Sequence, residues 1–169
     1  MKRIILGCIV VVFIFFIGAS VVLIKKKHDF RKTIVEIPEF CILQAVDSVS
    51  FCNTQLEKDK PVVLMYLHPE CDICHIEARQ LQQKQEGNDY IQWILVSYAE
   101  RDSMNKFAAT YELNAIPYLT ILMDSQFELH DLLQVKGVPS CYIYDRHHKL
   151  VKVLQGAAKL ENVILLANQ

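Results

Sequence analysis

Two cysteines separated by two residues, with a histidine directly after the second, stand in the stretch HPECDICHIEARQL at residues 68–81. Three chemistries use that arrangement. It suits a redox dithiol, a haem attachment site of the C-x-x-C-H kind, or half of a metal site. A dithiol needs a thiolate at Cys71 to attack a partner disulfide and a second thiol, Cys74, to resolve the mixed disulfide. Haem would take both thiols as thioether links and His75 as an axial ligand. A copper or zinc site would add His68 and His75 to the two thiols.

The elements around the pair narrow the choice. PVVLMYL (61–67) is a continuous apolar, β-branched run, as expected of a strand buried on both faces. Residues 71–86 read as a helix ending before Gly87-Asn88. Cys71 then sits at the helix N-terminus, where free backbone N–H groups and the dipole favour a thiolate. Cys74 lies one turn further in. At 100° per residue Glu77 falls between the core-facing Ile73, Ile76 and Leu81, next to Cys74. Phase leaves two readings of it open: a partly buried carboxylate exchanging protons with Cys74, or a glutamate reaching out to solvent.

Further along, IQWILVS (91–97) and YLTILM (118–123) are strands, with helices at 102–111 and 126–134. SCYIYD and KLVKVLQG form a hairpin around Arg146-His147-His148, and 157–167 is a closing helix. PEFCILQAVDSVSF gives short strands about a turn at 45–48. Alternating strands and helices imply an α/β layered domain with the dithiol at a strand-to-helix junction. Cys41 and Cys52 read as buried apolar thiols, with a disulfide as the alternative in an oxidising compartment. Cys141 reads as core, on the same strand face as Pro139, and Trp93 as a strand residue.

From Ile4 to Ile24 the chain carries no charge, which is long enough to cross a bilayer. We expect an uncleaved anchor over 1–24, a basic tether over 25–36, and one domain over 37–169. Lys25, Lys26, Lys27, Arg31 and Lys32 follow the run, and by the positive-inside rule alone they would keep the domain in the cytoplasm. Beyond residue 32 there are 11 Lys and Arg against 18 Asp and Glu, which argues against nucleic acid as a partner.

PVVLMYLHPECDICHIEARQL resembles the active-site segment of the TlpA- and ResA-like thiol–disulfide oxidoreductases of the thioredoxin superfamily, where an apolar strand meets W-C-x-x-C-x-x-E. VKGVPSCYIYDRHHKLVKVLQG is similar to the G-V-P-T-x-F-L-I-D-x-x-G-x-I-V block of that family. The resemblance implies a thioredoxin-like fold, a mixed sheet flanked by helices. It implies catalytic roles for Cys71, Cys74 and Glu77, and makes Pro139 the cis-proline facing the dithiol, with a substrate strand pairing at Val138. It further implies protein disulfides as substrates, an upstream thiol reductant as partner, and no cofactor. The domain would lie outside the cytoplasm, on the periplasmic side of the inner membrane.

The sequence departs from that pattern in places. Glu70 replaces the tryptophan, Asp72-Ile73 holds no proline, and His147-His148 replace the hairpin glycine. Carboxylates at 70 and 72 oppose a thiolate at Cys71 and so favour a reductase. Ile116-Pro117 is a rival for the cis-proline, set aside because a terminal hairpin and helix directly follow Pro139. The alternative function is copper delivery on the same fold, although such relatives generally space their cysteines by three. A peroxidase would want P-x-x-x-[ST]-x-x-C, which surrounds neither thiol. Haem lacks a cytochrome's helical frame here, and an inactive binding domain would not need both cysteines.

Overall fold

The computed structural model describes residues 34–84 and 89–169, and of the first 33 residues only Phe13, Ile17, Gly18 and Ser20. The expected anchor and most of the tether therefore lie outside the described residues. Among those described, no helix is long and apolar enough to cross a membrane. The folded unit starts at Ile34, inside the stretch read as tether. Ile34 is buried, the Val35 carbonyl accepts from Leu150 N–H at 2.7 Å, and Glu36 bridges to Lys149.

Five strands make the main sheet, in the order β5-β4-β3-β6-β7. β3 (Val62–Tyr66) is its centre and every residue of it is buried. It runs parallel to β4 (Gln92–Ser97) and antiparallel to β6 (Ser140–Tyr144). β5 (Leu119–Met123) extends the parallel side, and β7 (Leu150–Gln155) closes the terminal hairpin with β6. Side chains alternate between the two faces. Val63, Met65, Trp93, Leu95, Cys141 and Ile143 share one face and one core with the helices α1 (Asp72–Gln83), α2 (Arg101–Thr110) and α4 (Leu160–Ala167). On the other face Tyr142 Oη donates to the Leu133 carbonyl of α3 (Glu128–Leu133) at 3.0 Å.

A small hairpin precedes the sheet, β1 (Cys41–Leu43) paired with β2 (Ser50–Cys52). Here the expectation of buried thiols is corrected. Cys41 and Cys52 face each other across the pair, Cα atoms 4.0 Å apart, and form a disulfide. The physical reason is strand alternation: Ile42 points inward, so Cys41 and Leu43 point out to solvent. The turn docks on the sheet through Ala45 N–H to the Ile121 carbonyl, and through Arg101 Nη1 to the Gln44 and Ala45 carbonyls at 2.8 and 2.6 Å.

The end of β5 is tied to the end of β3 by a buried carboxylate. Asp124 accepts from Tyr66 Oη at 2.6 Å, from His130 N–H at 2.8 Å and from Leu129 N–H at 3.3 Å. Losing one donor costs less than orphaning three. Tyr66→Phe should destabilise by about 1–2 kcal/mol and Asp124→Ala by roughly 3 kcal/mol or more, measured by denaturant unfolding. Equal losses in the two variants would contradict this placement of Asp124.

Candidate active site

β3 ends at Tyr66, and Leu67 carries the chain on with its N–H bonded to the Val96 carbonyl at 2.9 Å. His68-Pro69-Glu70 then turns into α1, whose N-cap is Cys71, in extended conformation at φ −97°. The Cys71 sulfur accepts from Cys74 N–H at 3.4 Å, the bond an N-cap side chain makes to an otherwise unsatisfied helix amide. The two cysteines differ sharply in access: Cys71 is half-buried, whereas Cys74 is wholly buried. Both are free thiols.

Opposite them stands the turn before β6. Tyr66 pairs with Ser140 in the antiparallel ladder, so the exit of β3 and the entry of β6 meet at the same edge of the sheet. The Val138–Pro139 peptide is cis, and the Val138 carbonyl accepts from the Cys71 thiol at 3.6 Å. Pro117 stands elsewhere. It leads into β5, which runs parallel to β4 and β3, so it sits at the opposite edge from Cys71. Among the described residues no other peptide bond is cis.

Glu77 is a buried acid close to the dithiol. It is 3 % exposed, one turn after Cys74 on α1. Its Oε1 accepts from Ala158 N–H at 2.9 Å, and Oε2 has no hydrogen-bond partner. Met65, Gln80, Leu160 and Val163 pack around it. Burial pushes the carboxyl up to about 7, opposed by the Ala158 hydrogen bond. Burial likewise drives the Cys74 thiol upward, and the neighbouring Cys71 sulfur and the Glu77 charge add to it. Cys141, in the core, is raised by burial and by Glu77.

The Nδ1 atoms of both neighbouring histidines have partners other than sulfur. His68 Nδ1 accepts from Glu70 N–H at 3.2 Å, and its ring lies 4.7 Å from that of Tyr98. His75 Nδ1 is 2.8 Å from Tyr111 Oη, with the ring packed on Phe107. Among the described residues no three His, Cys, Asp or Glu side chains converge as metal ligands. The copper reading, which needs Cys71, Cys74, His68 and His75 to meet, has no support in this geometry. Tyr98 was not singled out from sequence. Its only signal there is an aromatic residue directly after a buried strand.

A parallel β3-β4-β5 sheet continued by an antiparallel hairpin, with a C-x-x-C helix facing a cis-proline turn, is a thioredoxin-like fold. Residues 35–153 match the AhpC/TSA family, and the chain belongs to that family. No curated protein matches the sequence. Solved structures agree on the fold. A secreted disulfide oxidoreductase of Mycobacterium tuberculosis, homologous to E. coli DsbE, is 20 % identical with a TM-score of 0.66, over 80 % of this chain and 96 % of its own. A putative thiol:disulfide interchange protein DsbE from Chlorobium tepidum is 21 % identical at TM-score 0.65, over 78 % and 94 %. A peroxiredoxin-like protein from Aquifex aeolicus is more distant, 16 % identical at 0.61, over 78 % and 83 %.

The raised Glu77 carboxyl makes stability depend on pH. Between about 4.5 and about 7 the folded chain keeps a proton that the unfolded chain releases. Stability therefore falls as pH rises through that window and levels off above it. Glu77→Gln should be the more stable chain at pH 8, by up to about 3 kcal/mol, and nearly equal to the native chain at pH 4. A native chain at least as stable as the variant at pH 8 would contradict the burial of an ionised Glu77.

Proposed function

We propose that the chain is a membrane-anchored thiol–disulfide oxidoreductase that reduces protein disulfides outside the cytoplasm. The observation that carries this is the pairing of a reachable Cys71 at a helix N-cap with a buried Cys74 one turn behind it. The Cys71 thiolate attacks one sulfur of a substrate disulfide, forming a mixed disulfide and expelling the other sulfur as a thiolate. Cys74 gives up its proton and attacks the Cys71 sulfur. The Cys71–Cys74 disulfide forms, the second substrate thiolate leaves, and two electrons have passed to the substrate. Two protons convert the released thiolates to thiols.

In this reading Glu77 takes the Cys74 proton, supported by the bearing of its charge on the Cys74 thiol. An acid titrating near neutrality can hold a proton and return it in either direction of exchange. The main chain at Val138, beside Cys71, offers an extended substrate segment a strand to pair with. Pro139 holds that turn against the thiol. The electrons travel on the cysteines alone, so the cycle calls for a second dithiol protein to restore the reduced pair.

Two features support the direction and the compartment. A buried Cys74 whose thiol resists ionisation leaves the reduced pair without a second stabilised thiolate, which favours a reducing couple. The Cys41–Cys52 disulfide suits an oxidising compartment. Anchoring by residues 4–24 would hold the domain at the membrane surface.

Equilibrating the full chain against dithiothreitol and following the Cys71–Cys74 disulfide by mass tests the reading. We expect a reversible two-electron couple, lost in Cys71→Ser, at a potential well below about −120 mV. No Cys71–Cys74 disulfide at any poise would sink the dithiol reading. A potential near −120 mV would reverse the direction.

A further inference from the structure

Next to the dithiol, the edge of the sheet where β3, β4 and β5 end carries a strip of rings that the exchange chemistry leaves unused. It begins at His68, whose carbonyl accepts from Cys71 N–H at 3.0 Å. The His68 ring meets Tyr98 at 4.7 Å between centroids, and Tyr98 stacks on Phe127 at 5.3 Å. Tyr66 lies beneath, 6.1 Å from Tyr98 and 5.9 Å from His130, while His130 meets Phe127 edge-on. Tyr98 is 36 % exposed and Phe127 43 %, so two large rings are open to solvent side by side.

The backbone holds this arrangement against its own preference. Phe127 has φ 58°, in the left-handed region that a bulky side chain avoids. Asp124 keeps the turn in place through its bonds to Leu129 and His130. An exposed aromatic residue in a strained turn, joined through Tyr98 and His68 to the dithiol turn, marks a surface with a use.

Charge identifies what fits it. Glu70, Glu100 and Glu128 are exposed within two residues of His68, Tyr98 and Phe127 respectively, and Asp131 bonds to the His130 ring. Within the three turns 66–72, 97–102 and 124–131 the only Lys or Arg is Arg101. Its guanidinium donates to the Gln44 and Ala45 carbonyls. Ring faces are themselves electron-rich, and a carboxylate border deepens their attraction for a cation.

Building on the dithiol reading, we infer that Tyr98 and Phe127 bind a lysine or arginine side chain of the substrate polypeptide, a few residues from its target cysteine. His68 links the two places, its carbonyl bonded to Cys71 N–H at 3.0 Å and its ring 4.7 Å from that of Tyr98, so a substrate segment held at Cys71 extends past the strip within a few residues. The preferred substrate is thus a disulfide with a basic residue a few positions away.

The test uses peptides of one sequence, each disulfide-linked to a chromogenic thiol, with Lys, norleucine or Glu three residues from the cysteine. The full native chain, reduced, should release the chromophore from the Lys peptide about 10-fold faster than from the Glu peptide, with norleucine between. That ratio should fall below about 3-fold in Tyr98→Leu and in Phe127→Leu, and persist in Tyr98→Phe, which keeps the ring. Because unfolded chain would react without selectivity and so lower the ratio, it is read only in variants whose denaturant unfolding midpoint matches the native chain, and either leucine variant suffices. A native ratio near one, or a ratio unchanged in both leucine variants, would overturn the inference while leaving the dithiol standing. No reaction of the native chain with any peptide or with oxidised glutathione would overturn both.

Discussion

The site depends on β3 being hydrogen-bonded on both sides with opposite sense. Parallel pairing to β4 sends the chain out of β3 into a helix, while antiparallel pairing to β6 brings a different turn back to the same edge. The register pair Tyr66–Ser140 sets the residues after one strand against the residues before the other. Cys71 and Val138, 67 residues apart in the chain, come within 3.6 Å as a result. A one-residue slip would also carry the Tyr66 hydroxyl away from its buried partner Asp124, which holds that register.

The second constraint is unequal access to water. Cys71 reaches solvent at a helix cap, whereas Cys74 and Glu77 sit in the core formed by α1, β3 and α4. Low polarity there favours the neutral form of both groups, so a thiol and a carboxylic acid lie within one helical turn of each other. The Ala158 amide holds one carboxyl oxygen and leaves the other unpaired. The segment leading into α4 thus fixes the orientation of the acid, while α4 itself fills the core beneath the dithiol.

Much of this was legible because local signals agreed with the global fold. Continuous apolar runs at 61–67, 91–97 and 118–123 mark the three parallel strands, and the structure places them within a residue or so. Helical phase put Glu77 beside Cys74 but misplaced the core face: Ile73 and Ile76 are exposed, the buried face is Cys74, Glu77, Ala78 and Leu81, and the partner of Glu77, Ala158, is 81 residues away. The choice between Pro117 and Pro139 turned on chain order, and the direction of β5 is its physical counterpart. What stayed hidden was made by tertiary contact. The Cys41–Cys52 pairing follows from hairpin register, the tie at Asp124 from three separate elements, and the ring strip from the ends of three strands.

The central claim is that Cys71 attacks and Cys74 resolves. The most direct measurement is to react full-length Cys74→Ser and Cys71→Ser chains with a disulfide-bearing polypeptide and identify the adduct by mass. On this account Cys74→Ser accumulates a stable mixed disulfide through Cys71, while Cys71→Ser forms none because Cys74 is buried. Adducts forming equally in both variants, or through Cys74 alone, would contradict it.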